Sequence, residues 1–300
     1  MSQTGAGFKS GTVALVGRPN AGKSTLLNRL VGEPVSIVTH KPQTTRHRVT
    51  GIVNRDHAQI VLVDTPGLHR RHTHALNRHL NRVAAETLAS VDLVLLLIDA
   101  AHPGLEDEDA ARAVRQSETP ALLAFNKIDR VHPRERLLPL TEEWTARVDA
   151  REVFYLSALK GDGVEELIEG LVRHLPEQPP LYPPDEFTTE SIRFLAAERV
   201  RAALLLNLHQ EVPYGTTVLI ESFTEEPRRV VIEAQILVAT KRHKGIVIGR
   251  GGEVLKRVGI QARKAIEKLL DRPVHLTLHV TVEEDWPDRE SDFERLGYRR

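Results

Sequence analysis

Apolar residues in the first half of the chain form short uninterrupted runs that are separated by amphipathic stretches. The runs are TVALVG (12–17), IVLVD (60–64), DLVLLLID (92–99) and ALLAFN (121–126). Strands that are buried on both faces have this pattern, because helices cover both sides of a parallel sheet. Residues 23–31 and 75–89, which lie between such runs, have helical spacing. The alternation predicts an α/β domain with a mostly parallel sheet and helices on both faces.

A cluster of prolines ends this pattern. Five of the chain's 17 prolines fall within the stretch PEQPPLYPPDE (176–186). Because proline has no N–H group and a fixed φ, the stretch can form neither a helix nor a central strand. We therefore predict a stiff linker at 177–187, between a first domain at 1–176 and a second domain at 188–300.

The pattern after the linker differs from the pattern before it. Residues 189–209 predict a helix, and two alternating stretches at 216–223 and 228–239 predict strands. A short helix, the glycine loop GRGG (249–252), a second amphipathic helix and a last strand at 273–282 follow. We expect an α+β domain with antiparallel strand pairing.

Composition narrows the class of protein. The chain has 41 Lys plus Arg and 41 Asp plus Glu, so its formal net charge is zero and only local clusters of charge can indicate an anionic partner. It has no cysteine, which excludes disulfides and thiolate chemistry. No stretch approaches the ~18 consecutive apolar residues that a membrane-spanning helix needs. We expect a soluble, cytoplasmic protein.

The first glycine-rich loop, GRPNAGKST (17–25), lies directly after an apolar strand and before a helix. It matches G-x-x-x-x-G-K-[ST], a loop whose backbone N–H groups surround phosphates together with the positive end of the helix. Lys23 is expected to reach the β- and γ-phosphates, and Ser24 to bind Mg²⁺. The predicted nucleotide-binding residues here are Gly17, Asn20, Ala21, Gly22, Lys23, Ser24 and Thr25.

Three further motifs follow the ends of apolar strands, where open α/β sheets bind ligands. They are Asp64-Thr-Pro-Gly67, Asn126-Lys127-Ile-Asp129 and Ser157-Ala158-Leu. Asp64 can hold Mg²⁺, and the N–H of Gly67 can sense the γ-phosphate. The Asp129 carboxylate can accept both N–H groups that guanine offers and adenine lacks, and the Ala158 N–H can meet the guanine O6. The four motifs together predict a GTP-binding domain.

The polar segment KPQTTRHR (41–48) is expected to carry a Thr that binds Mg²⁺ only when the γ-phosphate is present. We predict Thr45 for this role, with Thr44 as the alternative. The predicted metal-binding residues are therefore Ser24, Thr45 and Asp64.

The residue that orients the attacking water is less evident. Ras-like enzymes use a Gln after the DTPG-equivalent glycine, whereas this chain has Leu68. In similar GTPases of translation and RNA modification, an Asn at the position of Asn20 helps to coordinate K⁺, which neutralises developing charge. We expect slow, K⁺-stimulated hydrolysis with Asn20, Lys23, Thr45 and Gly67 as the catalytic residues; alternatively, Asn20 only shapes the loop.

The second glycine loop is not a dinucleotide motif, because position 254 is Val where a glycine would be needed. It fits the G-x-x-G loop of a KH domain, which clamps a nucleic-acid backbone beside an apolar groove. Residues 241–272 contain ten Lys and Arg but three acids, although those at 263–268 are equally compatible with a solvated helix face. The predicted RNA-binding residues are Lys241, Lys244, Ile248, Gly249, Arg250, Gly251, Gly252, Lys256 and Arg257.

The whole set of motifs resembles the Era family of GTPases. The resemblance rests on GRPNAGKST, QTTRHR (43–48), DTPGLH (64–69), NKID and SAL, then HKGIVIGRGG (243–252) and the W-P-D…L-G-Y tail from Trp286 to Tyr298. It implies an α/β P-loop GTPase domain followed by an α+β type II KH domain. One departure is Arg70-Arg71, where many relatives have Lys-Pro.

The resemblance also implies partners and cofactors. Era-like proteins use GTP and GDP with Mg²⁺, bind the single-stranded 3′ end of small-subunit ribosomal RNA, and act in maturation of the small ribosomal subunit. They are cytoplasmic with some peripheral membrane association, and we expect a monomer that does not bind DNA. Two alternatives remain open: a constitutive RNA-binding module with a structural nucleotide domain, and a GTPase that serves RNA modification.

Overall fold

The structure is a computed structural model that describes residues 7–41, 44–67 and 74–298. The chain divides into two compact units. The first consists of residues 1–36, 45–71 and 80–189, and the second of residues 37–44, 72–79 and 190–300. Two short segments that precede and follow the DTPG motif in sequence therefore belong to the second unit.

The first unit is built on a six-stranded sheet with the order β2-β3-β1-β4-β5-β6. Its strands are β1 (Lys9–Val16), β2 (Val49–Arg55), β3 (Ala58–Asp64), β4 (Leu93–Asp99), β5 (Ala121–Asn126) and β6 (Val153–Leu156). The helices in this part of the chain are α1 (Lys23–Val31), α2 (Ala75–Leu88), α3 (Leu105–Gln116), α4 (Leu137–Val148) and α5 (Val164–His174).

The strand directions confirm the predicted mostly parallel sheet. All neighbouring strands are parallel except β2 and β3, which form an antiparallel pair at one edge. Every residue of β3, β4 and β5 is buried, so both faces of the sheet are covered. The carboxyl ends of β1, β3, β4 and β5 carry the phosphate loop, Asp64, Asp99 and Asn126 respectively.

The proline-rich stretch lies along the first unit. The N–H of Gln178 donates to the carbonyl oxygen of Phe8 (3.0 Å), and the N–H of Ile52 in β2 donates to that of Phe187 (2.9 Å). Its backbone therefore gains partners on β2 and on the residues before β1. The domain boundaries at 176 and 188 stay predictions.

The second unit has the element order that the sequence predicts. Its elements are α6 (Ile192–Asn207), β7 (Thr216–Glu225), β8 (Val230–Val238), α7 (Lys241–Ile248), α8 (Glu253–Leu270) and β9 (Val274–Val282). The sheet order is β7-β8-β9. Strands β7 and β8 are antiparallel as expected, but β9 is parallel to β8, so the expectation of purely antiparallel pairing is wrong. The reason is the connection: α7 and α8 form a helical crossover, which returns the chain in the same direction.

The tail after β9 packs on the same unit. Trp286 is fully buried, stacks on Tyr298 with 5.9 Å between ring centroids, and donates from Nε1 to the carbonyl oxygen of Gly215 (3.1 Å). Asp288 accepts hydrogen bonds from the N–H of Ala75 (3.0 Å) and from Nδ1 of His74 (2.9 Å), at the beginning of α2. No helix in the described ranges is both long enough and apolar enough to cross a lipid bilayer.

Candidate nucleotide site and nucleic-acid surface

The phosphate loop between β1 and α1 depends on two glycines. Gly17 and Gly22 have φ angles of +151° and +106°. A Cβ on Gly17 would lie 2.4 Å from the carbonyl oxygen of Leu97, and one on Gly22 would lie 2.2 Å from Nδ2 of Asn126. Both the backbone conformation and the surrounding space therefore require glycine.

Lys23, the first residue of α1, is held inside this loop. Its Nζ donates to the carbonyl oxygens of Gly17 (2.9 Å) and Arg18 (3.1 Å). Burial lowers the pKa of Lys23, while the carboxylates of Asp64 and Asp107 raise it in part. The ammonium group therefore lies across the loop, where a phosphate oxygen could replace its carbonyl partners.

A set of oxygen atoms surrounds Asp64 at the end of β3. Its Oδ2 accepts hydrogen bonds from Ser24 Oγ (2.6 Å), Ser36 Oγ (2.9 Å) and Thr45 Oγ1 (3.3 Å). The other oxygen, Oδ1, is buried and has no hydrogen-bond partner among the described residues. Burial raises the pKa of Asp64, and Lys23 and the three hydroxyl groups oppose that rise. Carboxylate and hydroxyl oxygens with an orphaned carboxylate oxygen fit Mg²⁺.

The three predicted metal-binding residues are thus brought together. The hydroxyls of Ser24 and Thr45 lie 3.0 Å apart. Thr44, the alternative, points elsewhere: its Oγ1 lies 2.6 Å from Thr39 Oγ1 and donates to the carbonyl oxygen of Lys41 (2.6 Å). The geometry favours Thr45.

Ser36 is a member of this set that the motifs do not reveal. Asn28 fixes it, because its Oδ1 accepts from the Ser36 N–H (2.8 Å) and its Nδ2 donates to the Ser36 carbonyl oxygen (2.8 Å). The available sequence signal was Asn28, which lies four residues after Ser24 and so on the same face of α1.

Asn126 joins the loops that are expected to hold the guanine. Its Oδ1 accepts from the N–H groups of Lys127 (2.8 Å) and Ala158 (2.9 Å), and its Nδ2 donates to the carbonyl oxygen of Ala21 (2.8 Å). The Asn126 side chain therefore forms hydrogen bonds to the phosphate loop, the NKID loop and the SAL loop. The Ala158 N–H, predicted to meet the guanine O6, has Asn126 as its partner here.

The other residues of the predicted guanine-binding site are Lys127, Asp129 and Ser157. Lys127 donates from Nζ to the carbonyl oxygen of Asn20 (2.6 Å) and to Asp99 Oδ2 (2.7 Å). The carboxylate of Asp129 is partly exposed and accepts no hydrogen bond from the described residues. Ser157 is buried beneath the loop. An acceptor without a protein partner is what recognition of the guanine N–H groups requires.

The sequence motifs also do not reveal a network of buried charges behind the phosphate loop. Arg18 approaches Asp107 with Nε (3.0 Å) and Asp99 with Nη2 (3.3 Å). Asp107 is fully buried, and burial raises its pKa to about 6 although Arg18 acts in the opposite direction. Asp107 therefore anchors Arg18. Its spacing of three, four and seven residues from the apolar positions 110, 111 and 114 was the signal.

Two predicted catalytic residues lie beside the loop, and several positions fall outside the described residues. Gly67 is buried, and a Cβ on it would lie 3.1 Å from the backbone nitrogen of Pro19. Asn20 has a left-handed backbone with φ of +63°. Leu68 and Arg70-Arg71 lie outside the described ranges.

The second glycine loop connects α7 to α8 in the other unit. Gly249, Gly251 and Gly252 have φ angles of +75°, +61° and +81°. A Cβ on Gly249 would lie 2.5 Å from Val254 Cγ2, whereas Cβ atoms on Gly251 and Gly252 would meet nothing within 4 Å. The outer surface of this loop is therefore open to a ligand.

Several positive side chains around the loop have no acidic partner among the described residues. Five predicted RNA-binding side chains form no ion pair with the described residues: Lys241, Lys244, Arg250, Lys256 and Arg257. By contrast, Arg263 pairs with Glu267 (2.8 Å) and Arg272 with Glu225 (2.9 Å). The five cations are available to phosphates.

An apolar groove of about 430 Å³ runs beside the loop, between α8 and β9. Its walls include Leu255 and Ile260 from α8 and Leu276 and Leu278 from β9. Ile260 is 43% exposed, which is unusual for an isoleucine on a packed helix. The sequence predicted a groove, but it did not identify β9 as a wall, because that depends on how the strand packs against α8. Ile248 is half-buried at the end of α7.

Comparison with known proteins agrees with the two kinds of domain that the sequence predicts. The family described as 50S ribosome-binding GTPase matches residues 12–127, and the KH domain family matches residues 211–287. GTPase Era of Stenotrophomonas maltophilia is 46% identical over 288 residues, which are 96% of this chain and 97% of that relative. The chain belongs to the Era family of GTPases. GTPase Era of Ruminiclostridium cellulolyticum is more distant, with 38% identity over 97% of this chain and 98% of its own.

Solved structures of Era proteins have the same fold. A crystal structure of Era in complex with MgGDPNP and nucleotides 1506–1542 of 16S ribosomal RNA has a TM-score of 0.94 and 37% identity, and covers 98% of this chain and 100% of its own. An Aquifex aeolicus Era variant bound to GDP and AlF₄⁻ has a TM-score of 0.93 and 37% identity over the same shares of both chains. The predicted P-loop GTPase domain and KH domain are confirmed.

Proposed function

We propose that this chain binds and hydrolyses GTP, binds the single-stranded 3′ end of small-subunit ribosomal RNA through its KH domain, and acts in maturation of the small ribosomal subunit. One observation carries the proposal: a single chain contains both an Mg²⁺-type oxygen set beside a phosphate loop and a G-x-x-G loop next to an apolar groove. Five cations around that second loop form no ion pair with the described residues. The Era structure that contains MgGDPNP and 16S ribosomal RNA supports the proposal.

In the nucleotide site, Ser24, Thr45 and Asp64 would hold Mg²⁺, which neutralises charge on the β- and γ-phosphates when it is bound. Lys23 would leave its two carbonyl partners for phosphate oxygens, and the N–H groups of the phosphate loop would fix the phosphates in place. The Gly67 N–H would contact the γ-phosphate. Asp129 would accept the guanine N–H groups and so reject adenine, which would leave its carboxylate unpaired.

Hydrolysis would be slow and stimulated by K⁺. The residue after Gly67 is Leu68, whose side chain can neither donate nor accept a hydrogen bond, so backbone groups would position the attacking water. The left-handed backbone of Asn20 and its link to Lys127 support a fixed position for its amide group at the loop. The test is turnover in K⁺ against Na⁺ at equal ionic strength: equal rates would refute the K⁺ role, and Asn20→Ala should abolish any difference.

In the KH domain, the open glycines would let the RNA backbone approach while unstacked bases enter the α8–β9 groove. The test is affinity for a labelled strand from the 3′ end of 16S ribosomal RNA at fixed salt, with GDP and then with a non-hydrolysable GTP analogue. Tighter binding with the analogue would establish a nucleotide-controlled RNA-binding factor. Equal binding would make the KH domain an autonomous tether, and absence of binding in both states would refute the proposed RNA partner.

A further inference from the structure

The α8–β9 groove has a glycine in its wall that the packing of the protein does not require. Gly259 lies in the interior of α8 and lines the groove. A Cβ on Gly259 would lie 3.6 Å from Leu278 Cδ1, which is an ordinary van der Waals contact. Glycine is less stable than alanine in a helix interior, because it loses more backbone freedom on folding. The fold would therefore accept alanine, and the missing methyl group leaves space that a ligand can use.

The side chains around this space are apolar. Ile260 from α8 and Leu276 and Leu278 from β9 line the same groove. Ile260 is exposed to solvent although it is apolar. Apolar walls around a position without a side chain can accept the faces of a planar ring, and every unstacked RNA base offers such faces.

Arg263 adds hydrogen-bond donors to the part of the groove that is away from the glycine loop. It lines the groove one helical turn after Gly259 and about 16 Å along α8 from Gly252, at a rise of 1.5 Å per residue. Its Nη1 donates to Glu267 Oε1 (2.8 Å), and that oxygen also accepts from the N–H of Val274 (3.2 Å). No other group among the described residues accepts from this guanidinium. Glu267 therefore orients Arg263 and leaves its other N–H groups available.

The chemistry of a guanidinium limits which base it can bind. It has only donors, arranged in a planar fork. The fork matches a base edge with two adjacent acceptor atoms, as N7 and O6 are in guanine and N3 and O2 are in cytosine. In adenine, the acceptors N1 and N7 each lie beside the N6 amino group, whose hydrogens would face the guanidinium. Two donors that face each other both stay unpaired, so adenine is disfavoured.

We propose that Gly259 and Arg263 form a base-reading subsite, with Glu267 as the positioning residue of the guanidinium. Gly259 leaves room for the ring, and Arg263 binds the adjacent acceptors of a guanine or a cytosine. The inference rests on the proposed function, in which the KH domain binds single-stranded RNA. Its specific content is that the chain distinguishes one base of the strand by its acceptor atoms, in addition to binding the backbone charge.

The experiment measures the affinity of the full chain for labelled strands from the 3′ end of 16S ribosomal RNA at fixed salt. Each guanine and each cytosine is replaced by adenine, one per strand. At least one replacement should weaken binding to wild type by about tenfold or more, as expected for a lost bidentate contact. The base at the position whose effect depends on Arg263 shows whether the subsite takes guanine or cytosine.

Arg263→Lys keeps the positive charge but removes the fork. It should bind the unchanged strand about tenfold more weakly, and it should no longer distinguish that strand from the strand with adenine at the sensitive position. Glu267→Gln should reduce the same discrimination by a few-fold, since it weakens the contact that orients Arg263. Arg257→Lys is the matched control: Arg257 is exposed on the same helix and has no ion pair with the described residues, so the discrimination should persist.

Gly259→Ala tests the space for the ring. It should raise the temperature of thermal unfolding, because alanine is favoured in a helix interior. It should also weaken binding of the unchanged strand by about tenfold, because the added methyl group fills the space that the ring needs. A variant that is more stable than wild type cannot have lost RNA affinity by unfolding.

The outcomes separate this inference from the function on which it rests. If Gly259→Ala binds the strand as tightly as wild type, or if Arg263→Lys keeps the discrimination, the inference is wrong. If wild type binds the strand but tolerates every adenine replacement, the inference is wrong while RNA binding stands. If wild type binds none of the strands, the proposed RNA partner fails, and the inference fails with it.

Discussion

The two glycine-rich loops of this chain both contain several glycines but differ in their surroundings. Both precede a helix and both contain glycines with positive φ. In the phosphate loop, added Cβ atoms on Gly17 and Gly22 would meet the protein itself within 2.4 Å. In the KH loop, a Cβ on Gly249 would lie 2.5 Å from Val254 Cγ2, whereas Cβ atoms on Gly251 and Gly252 would meet nothing within 4 Å. The first loop is enclosed by neighbours that fix it for a small ligand, whereas the second is open to a polymer, so the surroundings rather than the glycines decide what each loop binds.

The largest expected effect tests how closely the neighbouring residues enclose the phosphate loop. Gly22→Ala would place a methyl group 2.2 Å from Asn126 Nδ2 at a φ of +106°, so the loop must move. We expect GDP affinity to fall by about hundredfold or more, which corresponds to about 3 kcal/mol. Fluorescent GDP titration measures it. Gly32→Ala is the control, since Gly32 also has a positive φ of +85° but nothing within 4 Å; unchanged GDP binding in Gly22→Ala would contradict the comparison.

The next effect concerns the buried charges behind the phosphate loop, which the KH loop lacks. Burial raises the pKa of Asp107 from 3.8 to about 6, so the folded protein binds this proton more tightly than the unfolded chain. The contribution of Asp107 to stability is therefore greatest below about pH 4 and is lost as the pH rises through about 6, by at most about 3 kcal/mol.

Urea unfolding of wild type and Asp107→Asn between pH 4 and 7 measures this contribution. The difference in unfolding free energy between the two proteins should change with pH over that range, because only wild type has the titrating group. Glu106→Gln, an exposed acid one residue earlier in α3, should unfold with the pH dependence of wild type. A constant difference between wild type and Asp107→Asn would show that Asp107 does not titrate near pH 6.

A smaller effect is expected at the open loop. Gly251→Asp introduces a negative charge where the backbone has φ of +61°, a conformation that Asp tolerates better than most residues. RNA affinity should fall by about tenfold through repulsion of the phosphates, while GTP hydrolysis should be unchanged. Filter binding with the 16S 3′ strand checks the first part. A matching Gly251→Asn variant, which lacks the charge, should lose much less RNA affinity. An equal loss of RNA affinity in the two variants would show that backbone strain, and not charge, causes the effect.

The smallest effect refines what the open loop contacts. Arg250 is exposed and unpaired among the described residues, so it is expected to meet a phosphate. Arg250→Gln should weaken RNA binding a few-fold for all sequences and reduce the slope of log affinity against log salt by about one. Arg263→Gln, which removes an arginine already paired with Glu267, should change the slope less. Equal salt slopes in wild type and Arg250→Gln would show that Arg250 does not contact a phosphate.

The sequence predicted the features that depend on short segments. The phosphate loop, Asp64, the NKID loop and the G-x-x-G loop each consist of neighbouring residues with a fixed chemical task, so their spacing alone identifies them. Ser36 and Asp107 could not be found in this way, because their partners lie 28 and 89 residues away, and only the folded sheet brings them together. The prediction of antiparallel pairing for β9 was wrong for a related reason. Alternation of apolar and polar residues along a strand carries no information about the direction of its neighbour.

The contact of Asp288 with the first residues of α2 has a consequence for how the protein is made. The first N–H groups of a helix need partners from outside it, and here Ala75 finds one 213 residues further along the chain. During synthesis, domains generally fold from the N-terminus as the chain emerges. The beginning of α2, which follows the DTPG motif closely in sequence, would thus lack this partner until Asp288 has been synthesised. A chain that stopped before Asp288 would therefore carry an α2 whose first N–H groups lack this partner.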